Sequence, residues 1–276
     1  MRAVLGVVLG LFASGALANP CKFTTDRNLE IDPNGLRTLA FELGSSDLRV
    51  EGVPGLAKVE VHGRACASEE SRLAGLTVEQ SRSGDRVTLT PHQTNEQTFS
   101  LFGSSYAYID LEVRVPESLA IEVKTRSGDA DIANVAALDF SAHSGDLILH
   151  RVAGDVGVDV HSGDVTADDI GSLTVRHAGS GDIRAHGVRG DVKVGNVGSG
   201  DLGLVDVGRG VQVESIGSGD INVNHANGNV LIGSIGSGDV TVSGIGGDFT
   251  VRSAGSGDIH HRDVKGRIDV PHRADD

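Results

Sequence analysis

The chain has 276 residues, of which 39 are glycine and none is tryptophan, and 38 acidic against 24 basic residues give it a formal charge of −14. This acidic balance argues against a nucleic acid or an anionic membrane as the partner, because both bind basic surfaces. With two tyrosines and seven phenylalanines the chain cannot fill a wide core, but a narrow core of Val, Ile and Leu needs no large rings.

The first eighteen residues have the pattern of a secretory signal peptide. Met1-Arg2 precedes an apolar run from Ala3 to Phe12, and Ala16-Leu17-Ala18 is a small-x-small cleavage motif. The run is too short for a membrane-spanning helix, which needs about 20 apolar residues. We therefore expect cleavage after Ala18 and a mature chain, with no transmembrane segment, in the periplasm, at the cell surface or outside the cell.

The two cysteines, Cys21 and Cys66, are expected to form a disulfide. An exported chain folds in an oxidising compartment, where an even number of cysteines favours pairing. Metal or redox chemistry would need a second nearby cysteine or a Cys-x-x-Cys motif, and the sequence has neither. The bond would stabilise the N-terminal end of the fold by about 4 kcal/mol in the chain-entropy model.

Residues 19–36 are predicted to form an irregular polar lead-in or cap, which ends in the turn signal Asp32-Pro33-Asn34-Gly35. Apolar and polar residues then alternate through residues 37–126, a pattern typical of β-strands between turns. Within this stretch Gly44-Ser45-Ser46-Asp47 resembles the repeat that follows it, so we predict degraded repeats here. No helix is expected in the mature chain.

Residues 92–108 interrupt the alternation and are predicted to form an insertion loop. Four of the nine aromatic residues lie in or beside this loop, namely Phe99, Phe102, Tyr106 and Tyr108. Aromatic side chains on a loop of a rigid scaffold are good anchors for a partner. The alternative interpretation is that they cover the open end of an apolar stack.

Residues 127–266 form a regular repeat built on the tripeptide Ser-Gly-Asp. Its aspartates are spaced 17, 18, 18, 19, 19, 19 and 19 residues apart and are Asp129, Asp146, Asp164, Asp182, Asp201, Asp220, Asp239 and Asp258. Counted from the aspartate, apolar residues recur at positions +1, +3 and +6, and a second half-unit follows in the repeat. This pattern predicts an all-β, single-stack β-solenoid of the parallel β-helix type, with rungs of about 19 residues and two short strands per rung.

The last ten residues, 267–276, carry several charges and Pro271. Charges and proline on a terminal strand block further edge pairing. We predict that this segment is a C-terminal cap.

The Ser-Gly-Asp repeats and the segment Tyr108-Ile109-Asp110-Leu111-Glu112-Val113-Arg114-Val115-Pro116 resemble the bacterial “putative adhesin” family of β-strand-repeat proteins, a domain of unknown function. The resemblance covers residues 37–270 and implies a secreted or envelope-associated β-solenoid. No G-x-S-x-G, His-Glu-x-x-His or phosphate-binding loop is present. We therefore expect no enzyme but an adhesin-like scaffold or binding module, whose partner is an envelope or extracellular protein or polysaccharide.

The aspartates leave two alternatives open. Stacked rungs would align the eight carboxylates about 5 Å apart in one column, which suggests a Ca²⁺-binding solenoid, although no cofactor is required. In the structural interpretation, each carboxylate instead accepts backbone N–H bonds at its own corner.

The alternative to a binding scaffold or a Ca²⁺-binding solenoid is a carbohydrate-active β-helix enzyme, because such enzymes use acidic clusters. Its weakness is that the chain lacks tryptophan and has short corners.

Three histidines, His143, His161 and His177, open successive corners of the repeat. Stacking of the rungs predicts a column of surface histidines, with a Zn²⁺ site as the less favoured interpretation.

Overall fold

The computed structural model describes residues 21–93 and 106–271. The predicted signal peptide, the loop residues Phe99 and Phe102, and the end of the C-terminal cap lie outside the described residues. Within these ranges the fold has 23 β-strands and one 3₁₀ helix, Glu70–Gly75. None of their helices is long and apolar enough to span a membrane.

Two stacks of parallel strands form the solenoid, and each rung contributes one strand to each stack. Sheet A contains, in spatial order, β8 (Ala107–Pro116), β4 (Leu48–Val53), β10 (Ala130–Ala133), the first halves of β12 (Leu147–Ser162) and β13 (Val165–Ser180), β14 (Ile183–Val188), β16 (Leu202–Val207), β18 (Ile221–Ala226), β20 (Val240–Ile245) and β22 (Ile259–Val264). Sheet B contains β7 (Arg86–Gln93), β3 (Thr38–Leu43), β9 (Ala120–Ser127), β11 (Ala137–Ser144), the second halves of β12 and β13, β15 (Val192–Ser199), β17 (Val211–Ser218), β19 (Val230–Ser237), β21 (Phe249–Ser256) and β23 (Ile268–Asp269). The predicted β-solenoid is therefore confirmed.

The core is a narrow column of aliphatic side chains between the two sheets. In the rung that begins at Asp239, Val240, Val242 and Ile245 from sheet A meet Phe249 and Val251 from sheet B, and all five are at most 3% exposed. Complete burial of such a side chain contributes about 1.5–3 kcal/mol. Each rung obtains this burial from its neighbours as well as from its own two strands, which is why the repeats are stable only as a stack.

A residue in the left-handed conformation explains why the third apolar residue falls at +6. In a continuous strand the inward positions would be +1, +3 and +5. The φ angle at position +5 lies between 53° and 70° in all eight repeats, at Asn134, Arg151, Asp169, Gly187, Asp206, His225, Gly244 and Asp263. This residue bends the strand, so the side chain at +6 returns to the core. Asn, Asp and Gly adopt this conformation most readily.

The strand pair β3–β4 lies inside the stack, although it precedes the repeats in sequence. β4 pairs with β10 on one side and with β8 on the other, and β3 lies between β9 and β7 in the same way. The outermost rung is therefore formed by β7 and β8. The sequence pattern does not predict this order, because alternation specifies the faces of a strand but not its neighbours.

Antiparallel strands cover the N-terminal end of the stack. They are β1 (Phe23–Asp26) and β2 (Leu29–Ile31), both paired with β5 (Val59–Ala67), and β6 (Leu76–Ser83), which pairs with β7, while β5 pairs with β8. The predicted irregular lead-in thus contains two strands, which are too short to show a clear alternation. The 3₁₀ helix corrects the expectation that the mature chain has no helix.

Three local predictions can be compared with the structure. The turn at residues 32–35 is confirmed, since Asn34 donates its N–H to Asp32 Oδ1 at 3.0 Å and Gly35 has a φ of 70°. The disulfide between Cys21 and Cys66 is confirmed, with a Cα–Cα distance of 5.8 Å. Pro271 follows the last strand by two residues and does not lie within it.

The aspartate ladder and the candidate binding surfaces

The repeat aspartates bond each rung to the next. At eight successive steps, the Oδ1 atom of one aspartate accepts the backbone N–H of the aspartate in the following rung, at 2.8–3.0 Å. The eight bonds join Asp47 to Asp129, Asp129 to Asp146, Asp146 to Asp164, Asp164 to Asp182, Asp182 to Asp201, Asp201 to Asp220, Asp220 to Asp239 and Asp239 to Asp258. The predicted acceptor role is correct, but the donor belongs to the next corner and not to the aspartate's own corner. The reason is that a rung spacing of about 4.8 Å brings the next N–H within reach of the carboxylate.

The series extends beyond the eight predicted residues to Asp47 and Asp110, and we call all ten residues the aspartate ladder. Leu48 pairs with Leu111, so Asp110 lies beside Asp47 and accepts its backbone N–H. Burial, and then the neighbouring Asp47 carboxylate, raise the pKa of Asp110. The degraded repeat at Asp47 is confirmed, whereas Asp110 was missed because no Ser-Gly precedes it.

The glycine before the aspartate is required by both backbone conformation and space. Its φ lies between 117° and 141° in seven repeats, at Gly145, Gly163, Gly181, Gly200, Gly219, Gly238 and Gly257. A Cβ atom at any of these positions would lie 2.0–2.3 Å from the carbonyl oxygen of the glycine in the preceding rung. The Gly-Asp pair is therefore explained by the stacking of the corners.

The same bonds limit what the carboxylates can offer to a metal ion. In each ladder bond, one carboxylate oxygen of the accepting aspartate is already used, and Arg184 also donates to Asp182 Oδ2 at 2.6 Å. The Asp201 N–H, together with this guanidinium, lowers the pKa of Asp182. In the part of the chain that the structure describes, no three His, Cys, Asp or Glu side chains are grouped so that they could hold a metal ion. Binding of Ca²⁺ by the column stays a prediction.

A second, incomplete ladder follows the opposite corner of the rungs. Asp191 Oδ1 accepts the N–H of Gly210 at 3.0 Å, and Asp248 Oδ1 accepts that of Arg267 at 2.8 Å. Between them, the amide oxygen of Asn229 accepts the N–H of Asp248 at 2.8 Å. Because a neutral asparagine makes the same bond, the corner needs an acceptor oxygen and not a charge.

The predicted histidine column is correct for two of its three members. The rings of His143 and His161 stack with a centroid distance of 5.0 Å and an angle of 7°. His177 aligns with Asp159 and not with His161, because paired residues of β12 and β13 are 18 positions apart here whereas the two histidines are 16 apart. Its ring is 6.4 Å from that of His161.

An aromatic end surface lies at the N-terminal end, where the insertion loop joins the fold; we define it by Tyr106, Tyr108 and a cavity that Tyr108 lines. The two rings are 6.1 Å apart at their centroids. Burial, and then the charge of Asp110, raise the pKa of the Tyr108 hydroxyl. The cavity, of about 160 Å³, is lined by His92, Tyr108 and Arg126 among others. The described part of the predicted loop thus lies at the outermost rung of the solenoid.

Several solved structures of bacterial proteins are similar to this chain. A “putative adhesin” from Bacteroides fragilis is 13% identical with a TM-score of 0.44, and the match covers 91% of this chain and 99% of that one. A “putative lipid binding protein” from Parabacteroides distasonis is 15% identical with a TM-score of 0.42, and the match covers 91% and 98% of the two chains. No curated protein matches the chain.

Family membership follows from the sequence of the solenoid. The family model described as Toastrack DUF4097 matches residues 58–209, which is more than half of the chain and runs from the cap into the regular repeats. The chain belongs to the Toastrack DUF4097 family.

Proposed function

We propose that the protein is an exported, non-enzymatic scaffold that binds an envelope or extracellular partner through its aromatic end surface. The observation that carries this proposal is the aspartate ladder. Because the ladder residues bond one rung to the next, the most conspicuous motif of the chain has a structural role. The remaining candidate for partner binding is the aromatic pair Tyr106 and Tyr108, which lies beside the insertion loop at the end of the rigid solenoid.

The disulfide and the leader-like first eighteen residues support export. A bond between Cys21 and Cys66 is stable in an oxidising compartment and is rare in the cytosol. Expression of the full chain in a bacterial host should give a product cleaved after Ala18 in the periplasmic or extracellular fraction. Mass spectrometry of the fractionated protein measures this, and an uncleaved cytoplasmic product would contradict the export part of the proposal.

Capture of partners from an envelope extract tests the binding part. Mature protein should retain a partner that the double variant Tyr106→Ala/Tyr108→Ala does not retain. The control is Val205→Ala, which removes part of an exposed apolar side chain on sheet A, in the regular repeats. Equal capture by the tyrosine variant and the wild type would contradict a role for the end surface. Turnover of a polysaccharide from a substrate panel would contradict the non-enzymatic part.

A further inference from the structure

A groove opens where one corner of the solenoid is one residue shorter than its neighbours. Gly171 and Ser172 are the only residues between the core positions Ile170 and Leu173, whereas three residues, 153–155 and 189–191, fill the corresponding corners on either side. The pairing of β12 with β13 shifts register at this corner. The recessed corner leaves a groove of about 790 Å³, within the range of ligand sites in proteins.

The floor of this groove is bare backbone and its rim is basic. Glycines 154, 157, 171 and 190 line it, and the hydroxyl groups of Ser172 and Thr174 stand beside them. The rim carries Arg176, Arg189, Lys193 and Arg209, four of the 24 basic residues in an acidic chain. We call this site the basic groove.

Two of the four cations are used to build the groove. Arg189 Nη2 donates to the carbonyl oxygens of Val152 and Ala153, two rungs away, at 3.0 and 2.9 Å, which is possible because the intervening corner is short. Its guanidinium also pairs with Asp169. Arg176 Nη2 donates to Asp139 Oδ1 at 2.6 Å and lies over Gly157, where a Cβ atom would approach it to 2.8 Å.

The other two cations, Lys193 and Arg209, are uncommitted. Both side chains are exposed, and neither makes an ion pair or a side-chain hydrogen bond with any residue in 21–93 or 106–271. The two acids of the groove are engaged by the scaffold: Asp155 Oδ1 accepts the Ser172 hydroxyl at 2.6 Å, and Asp191 Oδ1 accepts the Gly210 N–H at 3.0 Å. An anionic group in the groove therefore meets two cationic side chains, Lys193 and Arg209, that are not paired with another described residue.

We propose that the basic groove binds a segment of an acidic polysaccharide, whose carboxylate or sulfate groups are held by Lys193 and Arg209. Sugar hydroxyls would bond to the exposed backbone and to the hydroxyls of Ser172 and Thr174. The net charge of −14 disfavours denser polyanions, because DNA carries one charge per about 1.7 Å. The site is separate from the aromatic end surface and adds a second ligand to the proposed scaffold.

Binding of defined polymers to the mature protein tests the site. Isothermal titration at low and at high salt would use polygalacturonate for carboxylate, dextran sulfate for sulfate and neutral dextran as the control polymer. We expect an acidic polymer to bind more tightly than neutral dextran, and binding to weaken as salt rises. Dextran sulfate is used at a degree of substitution of about one sulfate per sugar, so that the polymer that binds more tightly identifies the anionic group.

Two charge-matched variants locate the site. Lys193→Gln/Arg209→Gln should weaken binding about tenfold, which is about 1.4 kcal/mol, whereas Arg252→Gln/Lys265→Gln, with the same change in net charge, should leave it unchanged. Equal weakening in both variants, no preference over neutral dextran, or tighter binding to an oligonucleotide or anionic vesicles would overturn the proposal. The result is independent of the tyrosine variants, so failure of the end surface and failure of the groove are distinguishable.

Discussion

The ladder aspartates stabilise the stack through the oxygen that accepts a hydrogen bond from the next rung, and not through their negative charge. Neighbouring carboxylates about 5 Å apart repel by about 0.9 kcal/mol in water, and a hydrogen bond to a charged group contributes about 1.5–3 kcal/mol. The bond therefore outweighs the repulsion at these exposed corners. Asn229 makes the equivalent bond at the opposite corner without any charge.

We therefore expect different effects from two substitutions of Asp201. Asp201→Asn keeps the acceptor and removes repulsion from Asp182 and Asp220, so the free energy of unfolding should be unchanged or slightly higher. Asp201→Ala leaves the N–H of Asp220 without its partner and should cost about 1–2 kcal/mol. Urea denaturation at neutral pH measures both, and equal losses for the two variants would mean that the charge matters.

The glycine of the repeat should not accept a side chain. Gly238 has a φ of 122°, and a Cβ atom there would lie 2.2 Å from the carbonyl oxygen of Gly219. Gly238→Ala should lower the free energy of unfolding by at least about 2 kcal/mol. The matched control is Gly44→Ala, where a Cβ atom meets nothing within 4 Å, and we expect about 0.5 kcal/mol or less. Similar losses at both positions would contradict this explanation.

At the scale of the strands, sheet A carries a second cross-rung network of alternating histidines and aspartates. His186 Nδ1 lies 2.8 Å from Asp168 Oδ1, and His186 Nε2 lies 3.5 Å from Asp206 Oδ2. His150 approaches Asp168 from the rung on the other side, and His225 approaches Asp206. These contacts cross four steps of the stack, from β12 to β18.

The hydrogen bond to Asp168 raises the pKa of His186. A raised pKa in the folded state means that this pair stabilises the fold below the ordinary histidine pKa of about 6.5, and that the contribution is lost as pH rises through the raised pKa. An NMR titration should therefore show His186 titrating above 6.5, and Asp168→Asn should lower its pKa. Asp139→Asn, on sheet B, is the control, and an unchanged His186 titration in Asp168→Asn would contradict the pairing.

At the scale of the whole molecule, the features that repeat could be predicted from the sequence, whereas the features that occur once could not. The inner-face positions that Val240 and Val242 occupy are apolar in every repeat except the last, which has His261, so the solenoid follows from the spacing of these positions. The position of β4 between β8 and β10 depends on contacts made once, and no periodicity reports them. The basic groove arises from a single missing residue at Gly171–Ser172, which the sequence shows only as one of two steps of 18 residues and not as a site.

The central claim is that the aspartate ladder bonds the rungs together, and amide hydrogen exchange tests it most directly. In the wild type, the amide of Asp220 should be protected although its corner is exposed, because it donates to Asp201. In Asp201→Ala this amide should lose protection, while that of Asp258, which donates to Asp239, keeps it; in Asp201→Asn both should stay protected. Equal exchange of the Asp220 amide in the wild type and in Asp201→Ala would contradict the account.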